Sequence, residues 1–328
     1  MKKIKIDFVD FWKDLDKEDN YFINRLRRYY DVEVSEDAPV IFASCFGDRA
    51  YDMEDKVKIC FTGENYIPDL NIYDYVMGFS HMSFGDRYLR LPLYALYTER
   101  IKEAMDKHTK PDAYYLSKKK FCNRVVSNPD SHPMRESLYE KLSRYKKVDS
   151  GGRYKNNVGG AVADKMAFER DYRFTLAFEN TSTPGYVTEK ILEAFAGDTV
   201  PIYWGDPLIA DEFNPDAFIN CMEYDSEEDI IKRIKEVEED EQQYLKLMKA
   251  PMFREESAAA RILKEDYADA FLRNIFDREP ADAFRCSRMY YGREYRKKMK
   301  NAIHLRRTLD VFYKPVHQIG KWIKQGKS

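Results

Sequence analysis

The sequence predicts an α/β protein built on parallel sheet, and three observations carry that expectation. Short apolar runs alternate with helix-patterned segments through the first half of the chain. From Phe174 to Pro207 the pattern reads strand, polar loop, helix and strand in succession. The 328 residues, 44% apolar and 34% charged, hold enough material for two cores of ordinary size.

Taken in order, Ile4, Ile6 and Phe8 point one way and Lys5 and Asp7 the other, the alternation of a half-buried strand. A helical stretch is expected over residues 21–30, then extended runs at Val40-Ile-Phe-Ala43 and Val57–Phe61. The second run passes into Thr-Gly-Glu64, as a strand does on entering a functional loop. Residues 127–133, Ser-Asn-Pro-Asp-Ser-His-Pro, are turn-rich, and Met134–Tyr145 reads as a helix. Glycines at 151, 152, 159 and 160 then interrupt the local pattern. They place a domain junction near Gly151, giving domains 1–150 and 151–285 with a tail at 286–328.

The second half is sharper. Phe174–Phe178 is an apolar strand, 179–186 a polar loop, and Val187–Ala196 a helix closed by Gly197. Thr199–Trp204 is the next strand, ended by Gly-Asp-Pro207. Such a unit implies parallel strands and a right-handed crossover. Ser226-Glu-Glu-Asp229 opens a helix expected to run to about Lys249.

Charge is unevenly spread. Residues 285–328 hold thirteen Lys/Arg against Glu294 and Asp310, a net +11, so the rest of the chain sums to −13 for an overall −2. In this tail Ala302, Leu305, Leu309, Phe312, Val316, Ile319 and Ile323 step by three and four, a basic amphipathic helix expected to kink or split at Pro315. Its stripe either packs on the protein, lies on an anionic membrane or binds nucleic acid. The last is least favoured, because the rest of the chain is acidic and carries no nucleic-acid motif.

The five cysteines are scattered, with no C-x-x-C pair, which fits a reducing compartment. The N-terminus meets an acid too soon for a signal peptide, and no run suits a membrane span, so a cytoplasmic location is expected. Aromatics reach 15%, with 25 tyrosines. They suit sugar-stacking surfaces, though core packing is the commoner use of any one of them.

In open α/β sheets ligands bind beyond the carboxyl ends of strands. Residues 179–190 lie at such an end, and the helix behind them offers free N–H groups and the positive end of its dipole. Lys190 in the first turn opposes that dipole but suits a phosphate, and Glu189 could accept from sugar hydroxyls. Residue chemistry leaves a diphosphate site and an ordinary crossover helix equally open, since no Gly-x-Gly-x-x-Gly fingerprint is present.

The run Phe178-Glu-Asn-Thr-Ser-Thr-Pro-Gly-Tyr-Val-Thr-Glu-Lys190, followed by Val200-Pro-Ile-Tyr-Trp-Gly-Asp-Pro207, resembles the signature of the α-1,3-fucosyltransferases of glycosyltransferase family 10, above all the bacterial members. The resemblance extends to Phe61-Thr-Gly-Glu-Asn65, Asp86-Arg-Tyr-Leu-Arg-Leu-Pro-Leu93 and Ser127-Asn-Pro129 with Arg135. It covers most of residues 1–220 and fades beyond about Asp225. It implies two Rossmann-like domains facing a cleft (the GT-B arrangement), with the acceptor on the first and GDP-fucose on the second. It further implies inverting transfer to the GlcNAc of a Galβ1-4GlcNAc glycan, a Lewis x-type product. Position by position, Glu64 matches the general base. Arg135 and Lys190 match the cations that stabilise the departing GDP, and Asn180, Tyr186 and Glu189 match donor contacts. Arg153, in the glycine-rich loop, is a weaker donor candidate. The family's basic C-termini favour peripheral membrane contact for the tail, on the inner face.

No cofactor and no required metal are expected. Asp14-Leu-Asp16 has the Asp-x-Asp form but reads as helix-flanking acids, and the five histidines lack ligand spacing. A different acceptor, an α-1,4 linkage, or a non-catalytic glycan- or membrane-binding module are the alternatives.

Overall fold

Apolar runs of four to eight residues become strands here, as the pattern predicts, and the structure, a computed structural model, arranges them in two sheets. It describes the backbone of residues 1–325 and the side chains of residues 1–310. The first sheet takes β1 (Lys2–Val9), β2 (Tyr30–Val34), β3 (Val40–Ala43), β4 (Val57–Phe61), β5 (Tyr75–Gly78) and β6 (Tyr88–Arg90), in the order β2-β1-β3-β4-β5-β6. Pairing among β1 to β5 is parallel. The second takes β7 (Lys120–Arg124), β8 (Val148–Ser150), β9 (Tyr172–Phe178), β10 (Val200–Trp204) and β11 (Ile219–Asn220), in the order β11-β10-β9-β7-β8, parallel throughout. Two parallel α/β units are thus present, the fold class expected.

One strand is more deeply set than its alternation suggests. Lys5 stays exposed, but Asp7 is buried and accepts from Lys17 Nζ at 2.6 Å. β1 is flanked on both edges and covered on both faces near its end, so an outward position there still leaves water. The expected helix near residues 21–30 is short, Tyr21–Leu26, because Tyr30 already starts β2. Asn20 caps it, accepting from Phe22 and Ile23 N–H.

The two units do not divide at Gly151. One comprises Met1–Met77, Ser83–Leu89 and the chain from Asp269 on; the other comprises Gly78–Met82 and Arg90–Ala268. The reason is strand pairing: β7 hydrogen-bonds to both β8 and β9, so residues 120–150 belong with the later strands. The glycines at 151 and 152 serve close packing instead. A Cβ on Gly152 would stand 1.9 Å from the Val126 carbonyl oxygen. The later return to the first unit is fastened by Asp269, 5% exposed, which accepts from Arg25 at 3.3 Å and from Tyr29 at 2.7 Å.

The second core gathers Phe121, Leu138, Phe174, Phe178, Ile202, Ile230, Ile234 and Tyr244 between the sheet and its helices. The helix Met134–Tyr145 falls where the sequence places it. The long helix expected from Ser226 to Lys249 divides at Asp240, which ends Glu227–Glu239 and caps Glu241–Lys249 by accepting from Gln242 and Gln243 N–H.

The basic tail is not a separate domain. It forms one helix, Tyr290–Gln325, with no boundary at Pro315, and its first half lies on the N-terminal unit. Contact is mainly polar. Arg307 pairs with Asp48 at 2.6 Å and Asp52 at 2.7 Å, His304 meets Asp52 at 2.8 Å, Lys300 meets Glu54 at 3.3 Å, and Tyr295 donates to Asp69 at 2.5 Å. Met299 packs against the core that holds Ile41 and Cys60. Ala302, Leu305 and Leu309 of the predicted stripe face out, Leu305 at 60% exposure. The reading that this stripe packs back on the protein therefore fails for its described part. Phe312, Val316, Ile319 and Ile323 lie outside the described side chains.

Candidate active site

The polar loop after β9 and the helix behind it are built as the sequence suggests, with bounds shifted by two residues. The helix is Glu189–Ala196, Thr188 stands at its N-cap, and Gly197 closes it. Gly185 has φ +88, and a Cβ there would stand 2.4 Å from the Phe79 carbonyl oxygen, so only glycine can make this turn.

Three of the expected residues converge within this unit. Arg135, 4% exposed, donates from Nη1 to Asn180 Oδ1 at 3.0 Å and from Nη2 to the Asn128 carbonyl. The Asn180 carbonyl accepts from His132 N–H at 2.8 Å, and the His132 ring stacks on Trp204 with centroids 4.6 Å apart. Lys190 reaches the same loop through Glu179, the chain neighbour of Asn180. Burial lowers the affinity of the Arg135 guanidinium for its proton, as it does for any charge withdrawn from water.

Lys190 is more tightly held than its sequence position indicated. Its Nζ donates to Glu179 Oε2 at 2.8 Å and to Thr188 Oγ1 at 2.9 Å. An ammonium has three N–H donors, so one remains beyond these two bonds. Glu179 is fully buried and also accepts from Thr188 N–H and Thr188 Oγ1, each at 2.7 Å. Gly205 closes against it, with a position for Cβ only 2.5 Å from Glu179 Cγ. Burial pushes Glu179 above the ordinary carboxylate value, while Lys190 pulls it back. Burial also opposes ionisation of Lys190 and Glu189, and each is overcome by the opposite charges around it. The ammonium is held above its usual value by Glu179 and Glu189, and the Glu189 carboxyl below its own by Lys190 and Lys165.

Glu179 was not among the expected site residues. Its signal was present, an acid directly after an unbroken apolar strand, but a polar-loop reading of residues 179–186 hides it. Burial makes the difference, since a carboxylate taken out of water must find partners.

The other candidates sit differently. Tyr186 is 2% exposed, its ring packed edge-on to Phe79 at 4.8 Å. Arg153 is exposed on the glycine-rich turn, whose backbone is tied to residues 126 and 127. Glu64 belongs to the N-terminal unit. Thr62, fully buried, donates through Oγ1 to the Glu64 carbonyl at 2.8 Å and accepts from Glu64 N–H at 3.2 Å, leaving the carboxylate exposed. That turn fixes the backbone and presents the side chain.

Two acidic groups have the composition of cation sites. Asp16 Oδ1 takes the backbone N–H of Glu18 at 2.8 Å, a turn role that suits a helix-flanking acid. Among the described residues, His81, Asp206 and Glu212 bring ligand atoms within 4.8 Å of one another. Glu212 is already occupied by Arg90, at 3.0 and 2.6 Å, and by the Tyr94 hydroxyl. A guanidinium in that position repels a cation, so the donor set does not fit one.

Arg135, in the first turn of Met134–Tyr145, and Lys190, in the first turn of Glu189–Ala196, thus stand at two helix N-termini beside a parallel sheet, the kind of place where open α/β sheets take phosphorylated ligands. The family models agree. Residues 6–97 match the alpha-(1,3)-fucosyltransferase FucT N-terminal domain, and residues 115–262 match the glycosyltransferase family 10 (fucosyltransferase) C-terminal region. The chain belongs to glycosyltransferase family 10. It is 30% identical over 286 residues to the alpha-(1,3)-fucosyltransferase FucT of Helicobacter pylori, a match covering 75% of this chain and 59% of that protein. Over 128 residues it is 34% identical to a human 4-galactosyl-N-acetylglucosaminide 3-alpha-L-fucosyltransferase, covering 37% of this chain and 34% of that one. A crystal structure of an alpha1,3-fucosyltransferase with GDP-fucose superposes with a TM-score of 0.69 at 27% identity, over 85% of this chain and 91% of the other. The matched segments thus span less than two thirds of the length of these two relatives.

Proposed function

We propose that this protein transfers L-fucose from GDP-fucose to the GlcNAc 3-hydroxyl of Galβ1-4GlcNAc-type glycans, inverting the anomeric centre. The observation that carries the reading is the convergence of Arg135, Asn180 and Lys190 at the head of the helix Glu189–Ala196. Family membership supplies the donor class. In the step itself, the Glu64 carboxylate takes the proton of the acceptor hydroxyl as its oxygen attacks the fucose anomeric carbon. The bond from that carbon to the β-phosphate oxygen breaks, and its electron pair leaves with GDP. Arg135 and Lys190 face the charge that develops there. Glu189 accepts from ribose or fucose hydroxyls, Asn180 and Tyr186 shape the loop around the donor, and Arg153 is the outermost cation.

Two fixed cations provide the charge stabilisation that a divalent ion gives in other transferases, so no metal is assigned a role. The test is incubation with GDP-fucose and N-acetyllactosamine, with and without EDTA. GDP and a fucosylated trisaccharide form in both cases. Absence of trisaccharide with any lactosamine or lacto-N-biose acceptor overturns the activity, and loss of turnover in EDTA overturns the metal-free site.

Peripheral membrane contact through the tail is part of the same reading, on the inner face. It is supported by the outward Leu305 and Leu309 beside exposed Arg306, Lys297 and Lys298. No helix among the described residues is long and apolar enough to cross a membrane. Leu305→Glu with Leu309→Glu leaves the docked face intact and lowers sedimentation with vesicles containing anionic phospholipid. Unchanged sedimentation overturns the contact.

A further inference from the structure

The carboxyl edge of the first sheet carries a feature with no part in donor binding. β1, β3 and β4 lie side by side, so the segments that leave them form one row. These are residues 10–12, residues 44–47 and residues 62–67, the last holding Glu64. The first two are locked together. Asp10 adopts φ +59, a conformation uncommon outside glycine, and its partners hold it there. Its carboxylate accepts from Arg49 N–H at 3.0 Å and Ala50 N–H at 2.8 Å, and its carbonyl accepts from Phe46 N–H at 2.9 Å. Gly47 lies so near that a Cβ would stand 2.3 Å from Asp10 Oδ1.

This turn sets Trp12 edge-on to Phe46, with ring centroids 6.1 Å apart and planes at 85°. Phe46 is 48% exposed, and Ile67, beyond Glu64 on the next segment, is 66% exposed. Two rings fixed at right angles, one with an open face, stand on the row next to an exposed carboxylate. A pyranose matches that surface, having a face of C–H groups and a rim of hydroxyls. Galactose matches it best, because its axial 4-hydroxyl clears one continuous C–H face over C3, C4 and C5. The Phe46 segment follows β3 and the Glu64 segment follows its paired neighbour β4, and paired strands lie about 4.8 Å apart, close to the length one pyranose adds to a chain. The rings are already ordered by the Asp10 turn, so little side-chain freedom is lost on binding.

We infer that Trp12 and Phe46 form a stacking platform for the galactosyl ring of the acceptor, one ring beyond the hydroxyl that Glu64 deprotonates. This rests on the reading of Glu64 as the acceptor-side base.

Saturation-transfer NMR on the full chain, with GDP present and N-acetyllactosamine as the probe, tests it. Strong transfer to galactosyl H3, H4 and H5 is expected, reduced several-fold or more in Phe46→Ala and Trp12→Ala and retained in Phe46→Tyr. GDP affinity by calorimetry checks that each variant is folded. Undiminished galactosyl transfer in both alanine variants, or transfer confined to GlcNAc protons in the unsubstituted protein, overturns the platform. The two readings fail separately. Platform-dependent galactosyl contact without trisaccharide formation removes the activity and keeps the platform. Trisaccharide formation with an unchanged acceptor KM in Phe46→Ala removes the platform and keeps the activity.

Discussion

The loop after β9 and the loop after β4 both follow apolar parallel strands and both carry an acid within four residues of the strand end. They handle that acid in opposite ways. Glu179 is fully buried and its carboxylate is occupied by Thr188 and Lys190. Glu64 is exposed and, among the described residues, held through its backbone alone, by the Thr62 hydroxyl and the N–H of Tyr66. A cation meant to meet a diphosphate gains from being fixed in advance, because ordering it then costs nothing at binding. A base meant to take a proton must instead leave its carboxylate open to the incoming hydroxyl. Under the roles proposed for Glu64 and Lys190, it is the chemical task, rather than residue type, that decides how much structure surrounds an acid.

The largest expected effect tests the open side. Glu64→Gln removes the proposed proton acceptor without disturbing any buried group. Turnover should fall by roughly 10²- to 10⁴-fold, about 3–5 kcal/mol in barrier. GDP affinity and the denaturation midpoint should stay as they are. A rate within a factor of three of the unsubstituted protein removes Glu64 as the base.

The buried side should respond in reverse. Glu179→Ala strands the Lys190 ammonium and the Thr188 N–H in a site sealed by Gly205. Breaking a buried pair on one side costs roughly 3–5 kcal/mol of stability, which urea unfolding would register. GDP offers the stranded cation a new counter-charge, so the stabilisation it gives should be at least as large in the variant. A GDP effect that vanishes together with the stability would separate Lys190 from the phosphates.

Much of this contrast lay in the sequence, and its limits are physical. The β9–loop–helix–β10 unit was legible because apolar periodicity, Pro184, Gly185 and Gly197 are local signals. The helix Met134–Tyr145 was legible for the same reason. The division at Asp240 was not, because the apolar pattern continues across it while one carboxylate caps the second helix. The domain junction was missed because β7 pairs with β9 across fifty residues, and Gly151 and Gly152 look the same whether they mark a linker or a tight packing. Residue chemistry pointed to Lys190 and resemblance supplied Glu64 and Arg135, yet neither could tell that Lys190 is clamped or that the Tyr186 ring is buried against Phe79. Those facts are burial, and burial is a property of the whole chain.

Behind the donor helix the same contrast recurs with an acid that lacks good partners. Glu169 is fully buried beside Gly197, its carboxylate oxygens accept no hydrogen bond among the described residues, and Lys165 reaches it only at 3.7 Å. Burial pushes its carboxyl up to about 7 despite Lys165. The folded protein therefore holds this proton more tightly than the unfolded chain, where glutamate titrates near its ordinary value. The stabilising contribution is complete below that value and is lost as pH rises through about 7. Glu169→Gln, which cannot ionise, should be level with the unsubstituted protein at low pH and more stable above neutrality. The gain is bounded at about 3 kcal/mol by the size of the shift. Urea midpoints measured at pH 5 and pH 8 read it directly. Equal midpoints at both would mean that Lys165 closes onto Glu169 and satisfies it, making the rear of the donor helix as well provided for as the Glu179 side.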